Sequence, residues 1–296
     1  MVSGIFLLDF GRYSDNVSEN LKRIFKKNIV RISLAIVFWS IFYLYFEMYL
    51  KNKFDTNPIR IFDFLFVRTK AHLWFAYMIV GLYFLTPFLQ VLVRNLSKKD
   101  FELLLIILAI FGCSYDSINV LLKYFLNKTL YFRSWVPEFS GAIIYFLAGF
   151  YFSKFEISNK ARKWFYFLFF VGLFYTIIVN SALALNHEKQ KVFVYGDKHL
   201  NTMFVAFGIF IFFKNILVNA NIKGKFCKFI SYLSSLSFGV YLIHYAVLDT
   251  FVRKIGLTTL MLDPVIMIPL LSILVFAVSA LLAFIISKIP ILRKVV

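Results

Sequence analysis

The chain has 296 residues, 61% of them hydrophobic and 20% aromatic, with only 16% charged and a net charge of +18. An ordinary soluble domain is about half apolar and a quarter charged, and one globular core cannot hide thirty-nine Phe and seventeen Tyr. Composition therefore excludes a soluble enzyme. The basic residues fall between apolar stretches, so the charge reads as membrane topology rather than as a nucleic-acid surface.

The first element in chain order is an apolar stub, Met1-Val-Ser-Gly-Ile-Phe-Leu-Leu8, which stops at Asp9. It is too short to span and lacks a basic n-region, so it reads as the tail of a helix whose beginning is missing. Eight segments then reach the roughly 20 apolar residues that a helix needs to cross a bilayer. They fall near 29–50, 71–93, 102–122, 136–153, 163–185, 200–216, 229–252 and 264–288. There is no long linker and no low-complexity stretch. The expected fold is an all-α, polytopic transmembrane bundle, about eight full spans plus the truncated N-terminal helix, forming a single domain over 1–296.

The connections orient it. One alternating set, from Arg12 to Arg31, Arg94 to Lys99, Lys154 to Lys163, Lys214 to Lys228 and Lys288 to Lys294, holds 20 of the 33 Lys and Arg. The positive-inside rule makes that set cytoplasmic and places the C-terminus inside. Cys113 lies in an apolar run and Cys227 in a Lys-rich loop, so neither a disulfide framework nor a metal site is expected.

Ionisable groups within spans are costly and mark candidate function. His244, in Ser237-Phe-Gly-Val-Tyr-Leu-Ile-His-Tyr245, sits in the outward half of its span. It reads either as a catalytic or substrate contact or as a histidine bonded between helices. His72 opens the span His72-Leu-Trp-Phe-Ala-Tyr77, and taken alone it is an interfacial anchor. Glu138 follows Pro137 near an outer helix end, where it could cap the first turn. Asp116 and Asn119 are also near an outer end. The orientation places His72, Asp116, Glu138 and His244 toward the outer leaflet, as if lining one polar cavity open to the outside. Trp74, Trp135 and Tyr241 there suit stacking on sugar rings, or form an ordinary aromatic belt. On the inner side Lys22-Arg-Ile-Phe-Lys-Lys-Asn-Ile-Val-Arg31 is the densest basic run. It serves either anionic membrane lipid or phosphates such as those of coenzyme A.

In order along the chain, five blocks resemble one family. They are Met1-Val-Ser-Gly-Ile-Phe-Leu-Leu8, Arg31 through Trp39-Ser-Ile-Phe-Tyr43, and His72-Leu-Trp-Phe-Ala-Tyr-Met-Ile-Val-Gly-Leu-Tyr-Phe-Leu-Thr-Pro87, then Tyr145-Phe-Leu-Ala-Gly-Phe-Tyr151 and Ser237-Phe-Gly-Val-Tyr-Leu-Ile-His244. Together they resemble the acyltransferase-3 integral-membrane O-acyltransferases, most of all those acetylating bacterial surface glycans, including the enterobacterial common antigen type. Two departures stand out. The family's first helix, with the histidine thought to act in acyl transfer, has no counterpart here. Asn28 and Ala35 replace the first Arg of an Arg-x-x-Arg pair and a following proline, while Arg31 keeps the second Arg.

The resemblance implies an O-acetyltransferase of the bacterial inner membrane that takes acetyl from cytoplasmic acetyl-CoA to a hydroxyl of a lipid-linked or exported glycan. Arg31, Lys27 and Lys26 would hold the CoA phosphates. His72, Glu138 and His244 would form the acceptor side, with His244 an alternative base, and Trp74, Trp135, Tyr241 and Asp116 would contact the sugar. No metal is implied. The rival readings are a glycan-lipid transporter and a truncated, inactive copy of the enzyme.

Overall fold

A computed structural model describes residues 1–51, 70–128, 140–186, 194, 196–219, 224–290 and 292–296. Among these residues the chain is all-α, with seven helices long and apolar enough to cross a membrane. It divides into two compact units, Met1–Leu21 with Leu85–Asn221, and Lys22–Phe84 with Ile222–Val296.

The helices, in chain order, are α1 (Val2–Leu7), α2 (Val17–Ile24), α3 (Val30–Lys51), α4 (Trp74–Asn95), α5 (Lys98–Leu126), α6 (Ser140–Lys154), α7 (Asn159–Asn186), α8 (Leu200–Asn219), α9 (Lys225–Thr250) and α10 (Pro264–Ser287). Seven of the eight expected spans are thus present at full length. The eighth, near 136–153, is described only as the 15-residue α6, because its start lies outside the described residues. The stretch Arg12–Arg31, expected as a connection, is largely helical. Amphipathic α2 runs through a wide π-helical turn, Phe25–Ile29, straight into α3. Hydropathy alone hides this, since α2 alternates charge with apolar side chains instead of presenting a uniformly apolar run.

In the first unit, α1 packs on α6 and α5 lies beside it, with Phe101 stacked on Phe150 and Phe146, Leu147 and Phe152 buried. The Gln90 amide of α4 donates to the Leu7 carbonyl at 2.6 Å, satisfying the end of α1. Arg94 pairs with Asp15. Helices α7 and α8 approach closely at two glycines. A Cβ on Gly172 would lie 2.6 Å from the Asn201 carbonyl oxygen, and one on Gly208 2.5 Å from the Phe169 Cβ. Small residues at a helix crossing are the membrane's substitute for a hydrophobic driving force.

In the second unit α3, α9 and α10 share one core of Ala35, Trp39, Tyr43, Leu242, Ala246, Val247, Leu271 and Val275. α10 is apolar on every side, yet it buries only Met267, Leu271, Val275, Ser279 and Ala283, spaced four apart. One stripe meets protein and the remainder faces hydrocarbon. Asp263 caps α10, its Oδ1 accepting from the Val265 N–H at 2.8 Å, with Pro264 in the first turn where no N–H is needed.

Candidate active site

The second unit gathers most of the expected site residues. On α9, Tyr241, His244, Tyr245 and Asp249 recur at i, i+3, i+4 and i+8, hence on one face. On α3, Trp39, Tyr43 and Glu47 recur every four residues and supply the facing stripe. Between them lies the short 3-10 turn Ala71–Leu73, which delivers His72.

His72 is the centre of this aromatic cluster. Its ring stacks on Tyr245 at 4.9 Å and 10°, and meets Tyr43, His244 and Tyr241 at 4.9, 5.3 and 6.0 Å. The Tyr241 hydroxyl donates to the His72 carbonyl at 2.5 Å, and the Tyr43 hydroxyl donates to the Leu242 carbonyl at 2.6 Å. Both ring nitrogens of His72 are buried without a hydrogen bond of normal geometry.

His244 is different. Its Nδ1 lies 2.6 Å from the Tyr241 carbonyl, one turn back in the same helix. A carbonyl can only accept, so Nδ1 carries the proton. In the neutral ring the lone pair then resides on Nε2, the arrangement a proton acceptor requires.

Beside the histidines runs a chain of charges that the sequence reading missed. Lys70 Nζ is 2.7 Å from Glu47 and 3.9 Å from Asp249, and Asp249 is 3.6 Å from Arg253. Lys70 also sits over the Tyr245 ring at 5.0 Å. The i+4 and i+8 spacing of Glu47 from Tyr43 and Trp39, and of Asp249 from Tyr245 and Tyr241, is a signal that could have revealed both carboxylates.

The remaining expected residues are distributed otherwise. Trp74 is half exposed and joins the cluster through Phe75, which packs edge-on to Tyr241. Trp135 and Glu138 lie outside the described residues. Asp116 belongs to the first unit, where its electrostatic neighbour is His199. His199 was not singled out from the sequence. It is buried with its Nδ1 unpartnered, and burial lowers its pKa, opposed by the charges of Asp116 and Asp197. Around it the Tyr145 hydroxyl donates to the Asp197 carbonyl at 2.8 Å, and the Leu200 N–H donates to Ser117 Oγ at 2.9 Å. These bonds fasten the segment preceding α8.

Of the basic run, Lys26 and Lys27 are exposed on the π turn. Arg31 opens α3, and its Nη2 donates to the Val296 carbonyl at 2.8 Å. One N–H of its fork is therefore committed, and among the described residues the others have no acceptor.

The geometry supplies a positioned histidine, an aromatic wall and a partly buried ion chain on one outward-expected face, with cations at the other end of α3. That arrangement fits acyl transfer within a membrane protein. No curated protein matches the chain. No solved structure matches it either. A family model described as an acyltransferase domain matches residues 1–287, across both units. The chain belongs to the acyltransferase-3 family.

Proposed function

We propose that the chain is an O-acetyltransferase of a bacterial inner membrane, transferring acetyl from cytoplasmic acetyl-CoA to a hydroxyl of a surface or lipid-linked glycan. Family membership supports acyl transfer in general. The resemblance of the Arg31–Tyr43, His72–Pro87 and Ser237–His244 blocks to the glycan-acetylating enzymes supports the narrower reading. The observation that carries the chemistry is the Nδ1–H of His244 fixed on the Tyr241 carbonyl.

A sugar hydroxyl is a poor nucleophile until its proton leaves. His244 Nε2 accepts that proton as the oxygen attacks the thioester carbonyl. The new C–O bond forms, the C–S bond breaks, and the proton passes to the departing CoA thiolate. Positioned proton transfer of this kind contributes about 10²–10⁴-fold to rate. Tyr241, Phe75 and Trp74 offer ring faces to the sugar. On the inner side the exposed Lys26 and Lys27 and the remaining N–H groups of Arg31 suit the phosphates of CoA as point charges and as a fork, respectively. The basic connections would be cytoplasmic and the C-terminus with them.

Membranes carrying the chain, given radiolabelled acetyl-CoA, are expected to place label in glycans. His244→Ala should lower that rate by about 10²–10⁴-fold, with the protein still inserted. An unchanged rate removes His244 as the base. Absence of label from a stably inserted wild-type chain overturns the acetyl-to-glycan reading as a whole.

A further inference from the structure

In the first unit α7 is buried over only 11% of its most apolar stretch, and its exposed side carries Phe167, Phe170, Phe174, Ile177 and Ile178. Between α7 and α8 lies a groove of about 510 Å³, walled by Tyr166, Phe169, Phe170, Ile209, Phe212 and Phe213 and floored by Gly208. Gly208 leaves the floor low and holds the two helices together. The groove is apolar throughout and walled mostly by aromatic rings, a surface suited to an acyl chain.

Its basic end is what makes it specific. One turn before Tyr166, a second hollow is formed by Lys160, Lys163, Trp164 and Phe167. Lys163 stands three residues before Tyr166 and seven before Phe170, hence above the groove on the same face, about 10 Å from Phe170 along the axis. Both lysines are exposed, and among the described residues neither forms an ion pair. The third cation of this turn, Arg162, is directed elsewhere, to Asn215 at 3.0 Å and Asn159 at 2.7 Å. Lys160 and Lys163 also occupy the first turns of α7, where the helix dipole is positive and disfavours cations, and that first turn has no acidic residue. An anion between the two lysines would offset both unfavourable placements.

We propose that this groove is a binding site for an anionic phospholipid, its phosphate held by Lys160 and Lys163 beside Trp164 and one acyl chain lying along Tyr166, Phe170 and Phe213. Trp164 is 57% exposed and lines the hollow, as an interfacial tryptophan does at headgroup depth. All four lining residues of the hollow belong to α7, and Lys side chains of this kind at the end of a spanning helix attract anionic headgroups. Phosphatidylglycerol is the natural probe, since it differs from phosphatidylcholine in charge and not in tails.

Native mass spectrometry of the full chain released from detergent, titrated with the two lipids of equal chain length, tests the site. One phosphatidylglycerol should be retained at least about tenfold more tightly than phosphatidylcholine, a difference of about 1.4 kcal/mol. K160A/K163A should abolish that preference. K98A/K99A, which removes two other lysines from the same charged layer, should leave it intact. Glycerophosphoglycerol, the headgroup without tails, should fail to displace the bound lipid. Equal retention of both lipids by the wild type overturns the proposal. So does an equal loss of preference in the two double variants, which would mean overall positive charge alone. Displacement by the tailless headgroup would remove the groove from it. Both variants change only exposed lysines, and a monodisperse elution profile would confirm that each is folded.

Discussion

At the scale of single residues, the second unit is held by polar contacts that hydrocarbon cannot replace. The Tyr43 hydroxyl is fully buried and donates to the Leu242 carbonyl, so Tyr43→Phe should cost about 1 kcal/mol, seen as a modest fall in melting temperature of the solubilised protein. Lys70 is a larger case. It neutralises Glu47 and faces Asp249, whose carboxylate is 13% exposed. Lys70→Met leaves both acids without that cation, and breaking such a buried pair costs about 3–5 kcal/mol. The same thermal assay should therefore rank Lys70→Met well below Tyr43→Phe. The reverse order would mean that solvent or lipid headgroups reach the ion chain. At this scale the sequence was partly legible. His72, His244 and Tyr241 stood out because polar groups in apolar runs are conspicuous. Lys70 did not, since it sits just before a span where a cation is unremarkable. His199 was invisible for a different reason: only the fold brings it to Asp116, eighty-three residues earlier in the chain.

Among elements, the spans were legible because each is a continuous apolar run, and α10 is the extreme, with mean hydropathy 2.8 in its window. The ends were not, because helices continue past the hydrocarbon into polar residues that hydropathy discounts. α5 begins at Lys98, with Ser97 as its cap, and ends at Asn127 in a left-handed conformation with φ 50°, several residues beyond the apolar run on each side. The pairing of α7 with α8 depends on glycine at the crossing, which no hydropathy window registers. Gly172→Val should force these helices apart, breaking the Asn201 to Thr176 bond of 2.8 Å. Overpacking of this kind costs about 1–3 kcal/mol. Faster proteolysis of the loops flanking α7 and α8, with the second unit's melting unchanged, is the expected pattern.

For the whole chain, orientation rests on where the basic connections lie, and the two native cysteines offer a direct measurement. Cys113 is buried and Cys227 exposed near the start of α9. If the Lys-rich connections are cytoplasmic, a membrane-impermeant maleimide should leave right-side-out vesicles unlabelled and modify one site, Cys227, after permeabilisation. Labelling of intact vesicles would invert the topology and with it the assignment of His244 to the outer leaflet. The π-helical turn between α2 and α3 has a consequence for the length of the chain itself. At Phe25–Ile29 the Val30 N–H closes on the Phe25 carbonyl, five residues back, so this turn absorbs one residue more than an α-helical turn of 3.6. Removing one residue between Lys26 and Asn28 should let the turn relax to a regular α-helix while α2 and α3 keep their faces, and the shortened protein should express and melt like its parent. The same single deletion at Val37 would rotate Trp39, Tyr43 and Glu47 by about 100° away from α9. The chain should thus tolerate a frame-preserving codon loss at one place in this long helix and not about 15 Å further along it.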